Sequence, residues 1–529
     1  MLLALLAAAA VPHGAISPER LSADIKVLAS DEFEGRGPGT EGERKTIDFL
    51  IKQFKAAGPQ PAGENGGWTQ AVEMRRHTVA DQRVLRVTGK TCDIDLTPDA
   101  VLSTRNPAPR VDLHGLPVVF AGYGIHAPDR GWDDYSGLDV RGKLVLVLPN
   151  DPDFQKDSGP FGGKAMSYYA RSATKVEEAG RRGAAAVLVI ADPDRSEYDW
   201  ATFKNLYKGP ASGVPDADAD LVRFSGYVTP KVSKELFACS GLDLATEITK
   251  AGESGFGGEP LAGLSAKATF DVAVQKLVTH NVVAKIPGAK YPGEYFAYTA
   301  HWDHLGRGKP DHTGDDIYNG ALDNAGGVAG LLELARAFGH GRRPQRSILF
   351  IAMTLEESGL LGSEYFASHP LVPLEKVAGG FNMDAVNLFG ETGTMEVTSM
   401  GQTTLEDHLK AELAKQGREM KDDPNSVVGF YYRSDHFPFA KRGVPFIFAG
   451  SGWELAEKTA PNTREPEVGT RFHQPSDEWS PDLDFKAAAR DVEIYYRVGK
   501  AIANSREWPR WNPGTEFKAA REESDALRP

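Results

Sequence analysis

The sequence predicts an α/β fold, a mainly parallel mixed sheet sandwiched by helices, with a smaller β-rich domain inserted into it. Three observations predict it. From Asn281 onward, short apolar runs that read as strands alternate with amphipathic stretches that read as helices, as in a parallel sheet covered on both faces. From about Val79 to Gln275 the texture changes to short strands and many turns. The chain's 529 residues also exceed what one ordinary core holds, so more than one domain is expected.

Taken in order, Met1 to Ala10 is a short apolar run that resembles the h-region of a secretory signal peptide, with small residues near Ala15 for cleavage and no basic n-region. Residues 1–16 are therefore expected to be a signal peptide and the protein to be exported, periplasmic or secreted. No later apolar run is long enough to span a bilayer, so no stable membrane insertion is expected. Residues 17–78 begin with two helices, the first capped by Ser17 or Ser22 and carrying Leu21, Ile25 and Leu28, the second carrying Ile47, Leu50, Ile51 and Phe54. The glycine run from Glu34 to Gly42 lies between them. A helix precedes it and acidic residues flank it, so it reads as a tight turn and not a phosphate cradle.

Residues 79–275 form the insertion. Val118–Phe120 and Leu144–Leu148 read as buried strands, and Ala173–Arg182 as a helix closed by Gly183 and followed by a strand at Ala185–Ile190. Both cysteines, Cys92 and Cys239, fall here, spaced for no metal site, as a bridge or as two free thiols. Residues 276–505 supply the main sheet. Strands are expected at Tyr295–Ala300, Ser347–Met353, Val377–Met383 and Val444–Phe448, and helices at Gly326–Phe338, Ser363–Ala367, Glu406–Gln416 and Phe485–Ala503. Residues 506–529 are charged and contain proline, and read as a surface tail.

Chemistry concentrates at the ends of those strands. Ala300-His301-Trp302-Asp303-His304 ends one, Glu356 and Glu357 follow the next, and Asn382-Met383-Asp384 closes a third. Asp323 precedes the helix at Gly326, where a lone Asp would pass for an N-cap, and His473 lies on a loop held by Pro475. Ligands of open α/β sheets bind at the carboxyl ends of strands, so these motifs can meet in one crevice. Imidazoles and carboxylates without thiolate are the donors of hydrolytic zinc-like ions, not of a cysteine-based structural site. Asp303, two residues past His301, can share its face and accept the second imidazole N–H. Adjacent Glu356 and Glu357 point to opposite sides of an extended backbone, so one can bind a metal while the other faces substrate.

The order His-x-Asp, Asp-Asn, Glu-Glu-x-Gly-x-x-Gly-Ser, Asn-x-Asp and His-x-Pro-x-Asp resembles the co-catalytic zinc peptidases that include bacterial secreted aminopeptidases and glutamate carboxypeptidase. The resemblance spans about Lys276 to Ser505 and implies the zinc-peptidase fold, peptide substrates and two Zn2+ ions per subunit. Asp323 would bridge the ions, His301 and Asp384 complete one, and Glu357 and His473 the other. Glu356 would be the general base, and the Asp323-Asn324 peptide bond is often cis in that family. The run Tyr431-Tyr432-Arg433-Ser434-Asp435-His436 is similar to a family segment near the pocket, which offers Tyr432 as an oxyanion donor; Phe472 stands where some relatives have tyrosine. His304 is left without a role. Within the insertion, Gly122-Tyr123-Gly124 and Tyr135 to Lys143, with the strand–helix–strand piece, resemble the protease-associated domain.

A metal-dependent aminopeptidase is the expected activity. A carboxypeptidase for acidic C-termini would need arginines around the pocket, and only Arg433 stands within these motifs. A single-metal glutaminyl cyclase shares the fold but does not usually carry this insertion, and a non-catalytic receptor would have lost ligands. A net charge of −13, with no Lys/Arg stripe, argues against a nucleic-acid partner.

Overall fold

The computed structural model describes residues 16–195, 200–207, 209–215, 222–452, 455 and 470–528. The expected signal peptide, apart from Ile16, lies outside the described residues. The chain divides into two compact units. One comprises Met1–Val72, Val278–Pro424 and Phe430–Pro529, and the other Glu73–Leu277 with Asn425–Gly429. The insertion thus has edges at Glu73 and Leu277, and it also takes in a short piece beyond the expected 79–275.

The first unit opens with α1 (Pro18–Leu28), capped by the Ser17 side chain, and α2 (Glu41–Ala57), capped by Thr40. Leu21, Ile25 and Leu28 of α1 and Leu50 and Phe54 of α2 are fully buried, as their helical spacing predicts. The strands are β1 (Glu259–Ile286, whose last residues enter this unit), β2 (Tyr291–His301), β3 (Arg346–Met353), β4 (Val377–Asn382), β5 (Thr394–Val397), β6 (Glu419–Asp422) and β7 (Phe446–Ser451). Their order is β6-β5-β7-β4-β2-β3-β1. The central pairs β2/β3, β2/β4 and β4/β7 are parallel, while β1/β3 and β5/β7 are antiparallel. Every residue of β3 and β4 is buried, which accounts for the apolar runs Ile348–Met353 and Val377–Phe381 within them.

Helices α3 (Gly326–Gly339), α4 (Leu361–Ser368), α5 (Leu405–Lys415) and α6 (Phe485–Asn504) accompany that sheet. The buried carboxylate of Glu333 on α3 accepts hydrogen bonds from the Ser17 N–H at 2.9 Å and the Arg20 guanidinium at 2.7 Å, which pins α1 to the helix that follows Asp323. The C-terminal stretch corrects the expectation of a surface tail. It carries α7 (Lys518–Asp525), and Trp511, Phe517 and Arg521 are buried. Trp511 Nε1 donates to the Gly443 carbonyl at 2.8 Å and Arg521 to the Val377 carbonyl at 3.2 Å. Two aromatic side chains outweigh the charged composition around them.

The second unit has its own core. Strands Arg110–Phe120, Leu144–Val147, Ala186–Ile190 and Phe224–Val228 run parallel side by side, edged by Ala100–Ser103 and by the start of β1. The helix at Ser172–Arg181 ends before Gly183, whose φ of 83° suits glycine. Cys92 and Cys239 form a disulfide with a Cα–Cα separation of 6.1 Å, resolving the alternative left open by the sequence. Among the described residues, no helix is long and apolar enough to cross a membrane.

Candidate metal centre

Three adjacent parallel strands deliver the site. His301 is the last residue of β2 and stands level with Met353 of β3, while Thr299 stands level with Asn382 of β4. The acidic pair after β3 and Asp384 after β4 therefore leave the sheet beside His301. Asp323 comes from the turn before α3, and His473 from the segment after residue 469. Several of these backbones are held at positive φ: Leu355 (57°), Ala385 (66°) and His473 (56°). Such conformations cost about 1–3 kcal/mol each and tend to cluster at functional sites.

The two oxygens of Asp323 face two different sets of donors. Oδ1 lies 3.2 Å from His301 Nε2, which is 3.0 Å from Asp384 Oδ1. Oδ2 lies 3.0 Å from His473 Nε2, which is 3.2 Å from Glu357 Oε2. His304, left aside by the sequence reading, places Nδ1 2.7 Å from Glu357 Oε1 and 3.9 Å from Asp323 Oδ2. Two groupings compatible with a cation result, His301–Asp323–Asp384 and His304–Asp323–Glu357. Spacings of 3.0 to 3.2 Å suit nitrogen and oxygen donors around a small ion with bonds of about 2.0–2.1 Å.

The charge balance points the same way. Asp323, Glu356, Glu357 and Asp384 converge on the imidazoles, and Asp303 and Asp435 are buried close by. Burial pushes Asp303 up to about 8 and Asp435 up to about 7, and burial also raises Glu356 well above the carboxylate range. Burial pulls His301 down, but Asp384 and Glu356 outweigh it and hold the ring well above its ordinary value. His473, likewise drawn down by burial, is lifted to about 10 by Asp323 and Glu357. Six acids around three rings form a pit that positive charge would stabilise, so the donor set fits divalent cations.

A surrounding framework fixes these donors. His301 Nδ1 donates to the main-chain carbonyl of Asp303 at 3.0 Å, leaving Nε2 free as a ligand. The expected partner was the Asp303 carboxylate, whose Oδ1 is 3.9 Å away and instead accepts the N–H of Glu356 at 3.2 Å. The turn in the chain brings the carbonyl closer than the side chain. Thr299, Asn382 and Ser434 pass hydrogen bonds of 2.6 Å along to Asp384 Oδ2. Asp477 accepts the N–H groups of Leu322 at 3.0 Å and Asp323 at 3.1 Å. The Asp323-Asn324 peptide is cis, as the resemblance implied. Asn324 donates to the Met383 carbonyl and accepts from Gly327 and Ala385, tying the two ligand turns together. A Cβ on Gly327 would collide with the Asn324 amide and the Met383 carbonyl, so that position admits only glycine.

Arg36 extends what was expected of the glycine run. The run is a tight turn, with positive φ at Glu34, Gly35 and Arg36. It also turns the Arg36 side chain inward, where the guanidinium donates to the carbonyls of Leu28, Trp302, Asn319 and Gly320 at 2.6 to 2.9 Å. Tyr432, expected as an oxyanion donor, makes a contact with the C-terminal segment. Its hydroxyl donates to Glu516 at 3.4 Å and its ring packs on Tyr431 and Phe437. The C-terminal segment, expected at the surface, supplies that partner and makes Tyr432 a packed aromatic. Phe472 is half exposed and stacks on His473 with ring centroids 3.9 Å apart.

Residues 281–496 match the model of peptidase family M28. A protein of Pyrenophora tritici-repentis named "Probable zinc metalloprotease" is 37% identical over 239 residues, which cover 43% of this chain and 51% of the relative. Another of that name, from Pyrenophora teres f. teres, is 30% identical over 229 residues, covering 43% of each chain. The match thus spans about half the length of these relatives or less. The solved aminopeptidase from Aneurinibacillus sp. strain AM-1 is 19% identical, with 92% of this chain and 93% of that one covered and a TM-score of 0.48.

Proposed function

We propose that the protein is an aminopeptidase that removes N-terminal residues from peptides using two Zn2+ ions per subunit. His301 and Asp384 would hold one ion, Glu357 and His473 the other, and Asp323 both. The observation that carries this reading is the division of Asp323, one oxygen toward each set of donors. When bound, the ions supply Lewis acidity that activates water and polarises a carbonyl. Glu356, adjacent to Glu357 and held by its main-chain N–H, would accept a proton from the attacking water at its carboxylate and return it to the leaving amine. Asp303 positions Glu356 through its main-chain N–H. The pit, rich in carboxylates, favours a cationic α-amine over a terminal carboxylate. The arginine tied into the site, Arg36, is occupied by main-chain carbonyls and does not form a carboxylate clamp.

The disulfide supports residence in an oxidising compartment, consistent with export. The second unit, as a protease-associated domain, would be non-catalytic. The deciding experiment offers zinc-loaded protein a peptide library with free and with acetylated N-termini and reads the products by mass spectrometry. Loss of single N-terminal residues from the free set alone is expected. Trimming from the other end, indifferent to acetylation, would replace this reading with a carboxypeptidase. No cleavage of either set with two metals bound would turn the search to glutaminyl cyclisation.

A further inference from the structure

We infer that His304 is a metal ligand and that the two halves of the centre are unequal. The Glu357–His473 half would offer four protein donors and the His301–Asp384 half three. This rests on the two-ion reading above and deepens it.

The geometry begins with the His304 ring, buried to 1% exposure directly behind the carboxylates. Its Nδ1 is 2.7 Å from Glu357 Oε1, while His473 Nε2 is 3.2 Å from Glu357 Oε2. The two imidazoles thus approach one carboxylate from its two oxygens, with ring centroids 5.7 Å apart, and both also face Asp323 Oδ2. Asp323 Oδ2, Glu357, His473 Nε2 and His304 Nδ1 make a set of four nitrogen and oxygen donors. Four protein donors close the coordination of a tetrahedral zinc site, whereas three leave a position for water or substrate. The open half is the one whose His301 and Asp384 act most strongly on the charge of the Glu356 carboxylate, which fits an open position next to the base. The Glu357–His473–His304 half then retains its ion, and the half beside the base exchanges and reacts.

The alternative is that His304 only hydrogen-bonds Glu357. Removing such an outer partner typically weakens metal affinity by roughly 10- to 100-fold. Losing a ligand costs more. The test therefore titrates Zn2+ into metal-free protein against a chromophoric chelator, for the wild type and His304→Gln, with bound metal counted by mass spectrometry and folding checked by circular dichroism. Zinc X-ray absorption of the doubly loaded wild type counts imidazoles. We expect three imidazoles for two ions, and a loss of more than about 100-fold in the tighter of two affinities on His304→Gln. Two ions with only two imidazoles, or a tighter site weakened less than that, would overturn the inference and leave the two-ion reading standing. A wild type that binds fewer than two ions would overturn both.

Discussion

The main-chain N–H of Glu356 donates to Oδ1 of Asp303 at 3.2 Å, so the carboxylate two residues past His301 holds the backbone of the adjacent acid. That fixes Glu356 without using its side chain, which remains available for proton transfer. Glu356→Gln keeps the shape and the main-chain contact and removes the carboxylate proposed as the base. The expected result is unchanged metal content with kcat lowered by roughly 10²- to 10⁴-fold. Near-normal kcat with both metals counted would remove Glu356 from the mechanism.

Asp477 acts one step further out. It is buried and takes the N–H groups of Leu322 and Asp323 on its carboxylate, and its own carbonyl accepts from Ala321 at 2.9 Å. The turn that aims Asp323 is therefore held by the same loop that supplies His473. Asp477→Ala should weaken zinc binding by about 10- to 100-fold while leaving the kcat of fully loaded enzyme within a few-fold. A chelator competition assay would reveal it, and unchanged affinity would show that the turn stands without Asp477.

Arg36 carries a comparable load through one guanidinium. Burial lowers its pKa to about 10, still a charged group at neutral pH. Arg36→Lys preserves a positive charge but not the planar fork that reaches four carbonyls at once. Each buried acceptor left unpaired costs about 1–3 kcal/mol, so two stranded carbonyls should lower stability by about 2–6 kcal/mol. Denaturant unfolding of the variant would measure it, and a loss below about 1 kcal/mol would mean that water or neighbouring donors replace the fork.

Three of the five candidate motifs were legible because they sit where an apolar strand stops, and strand ends in a parallel sheet point into one crevice, whereas Asp323 before a helix and His473 on a loop were singled out only by the resemblance. His304 was harder to place, since sequence spacing cannot say that both nearby histidines face carboxylates, His301 toward Asp384 and His304 toward Glu357. Asp303 was assigned the right neighbourhood and the wrong atom, as the local turn decides whether carbonyl or carboxylate comes closest. Tyr432 misled because its hydroxyl partner, Glu516, is supplied by a segment whose charged composition hides Trp511 and Phe517. Arg36 lay within a run read only as a turn, and nothing in its spacing shows which way a side chain at φ 50° will point.

His436 offers a test that depends on no metal. It is fully buried against Tyr431 and Phe448, and burial pushes its pKa down to about 3, against a slight opposing pull from the Tyr431 main chain. An unfolded histidine titrates near 6.5, so between about 6.5 and 3 the unfolded chain binds a proton that the native state refuses. Stability from this residue therefore falls as pH drops through that window, by up to about 1.4 kcal/mol per unit, and is constant above it. Neighbouring Asp435, raised to about 7, has the opposite slope over an overlapping range, so the comparison must be with a variant that keeps Asp435. Unfolding the wild type and His436→Gln in urea at pH 5 and pH 8 isolates the histidine. The stability of the wild type relative to the variant should rise by about 2 kcal/mol between the two. A difference that does not change with pH would mean that His436 takes up its proton in the folded protein and is not held neutral by burial.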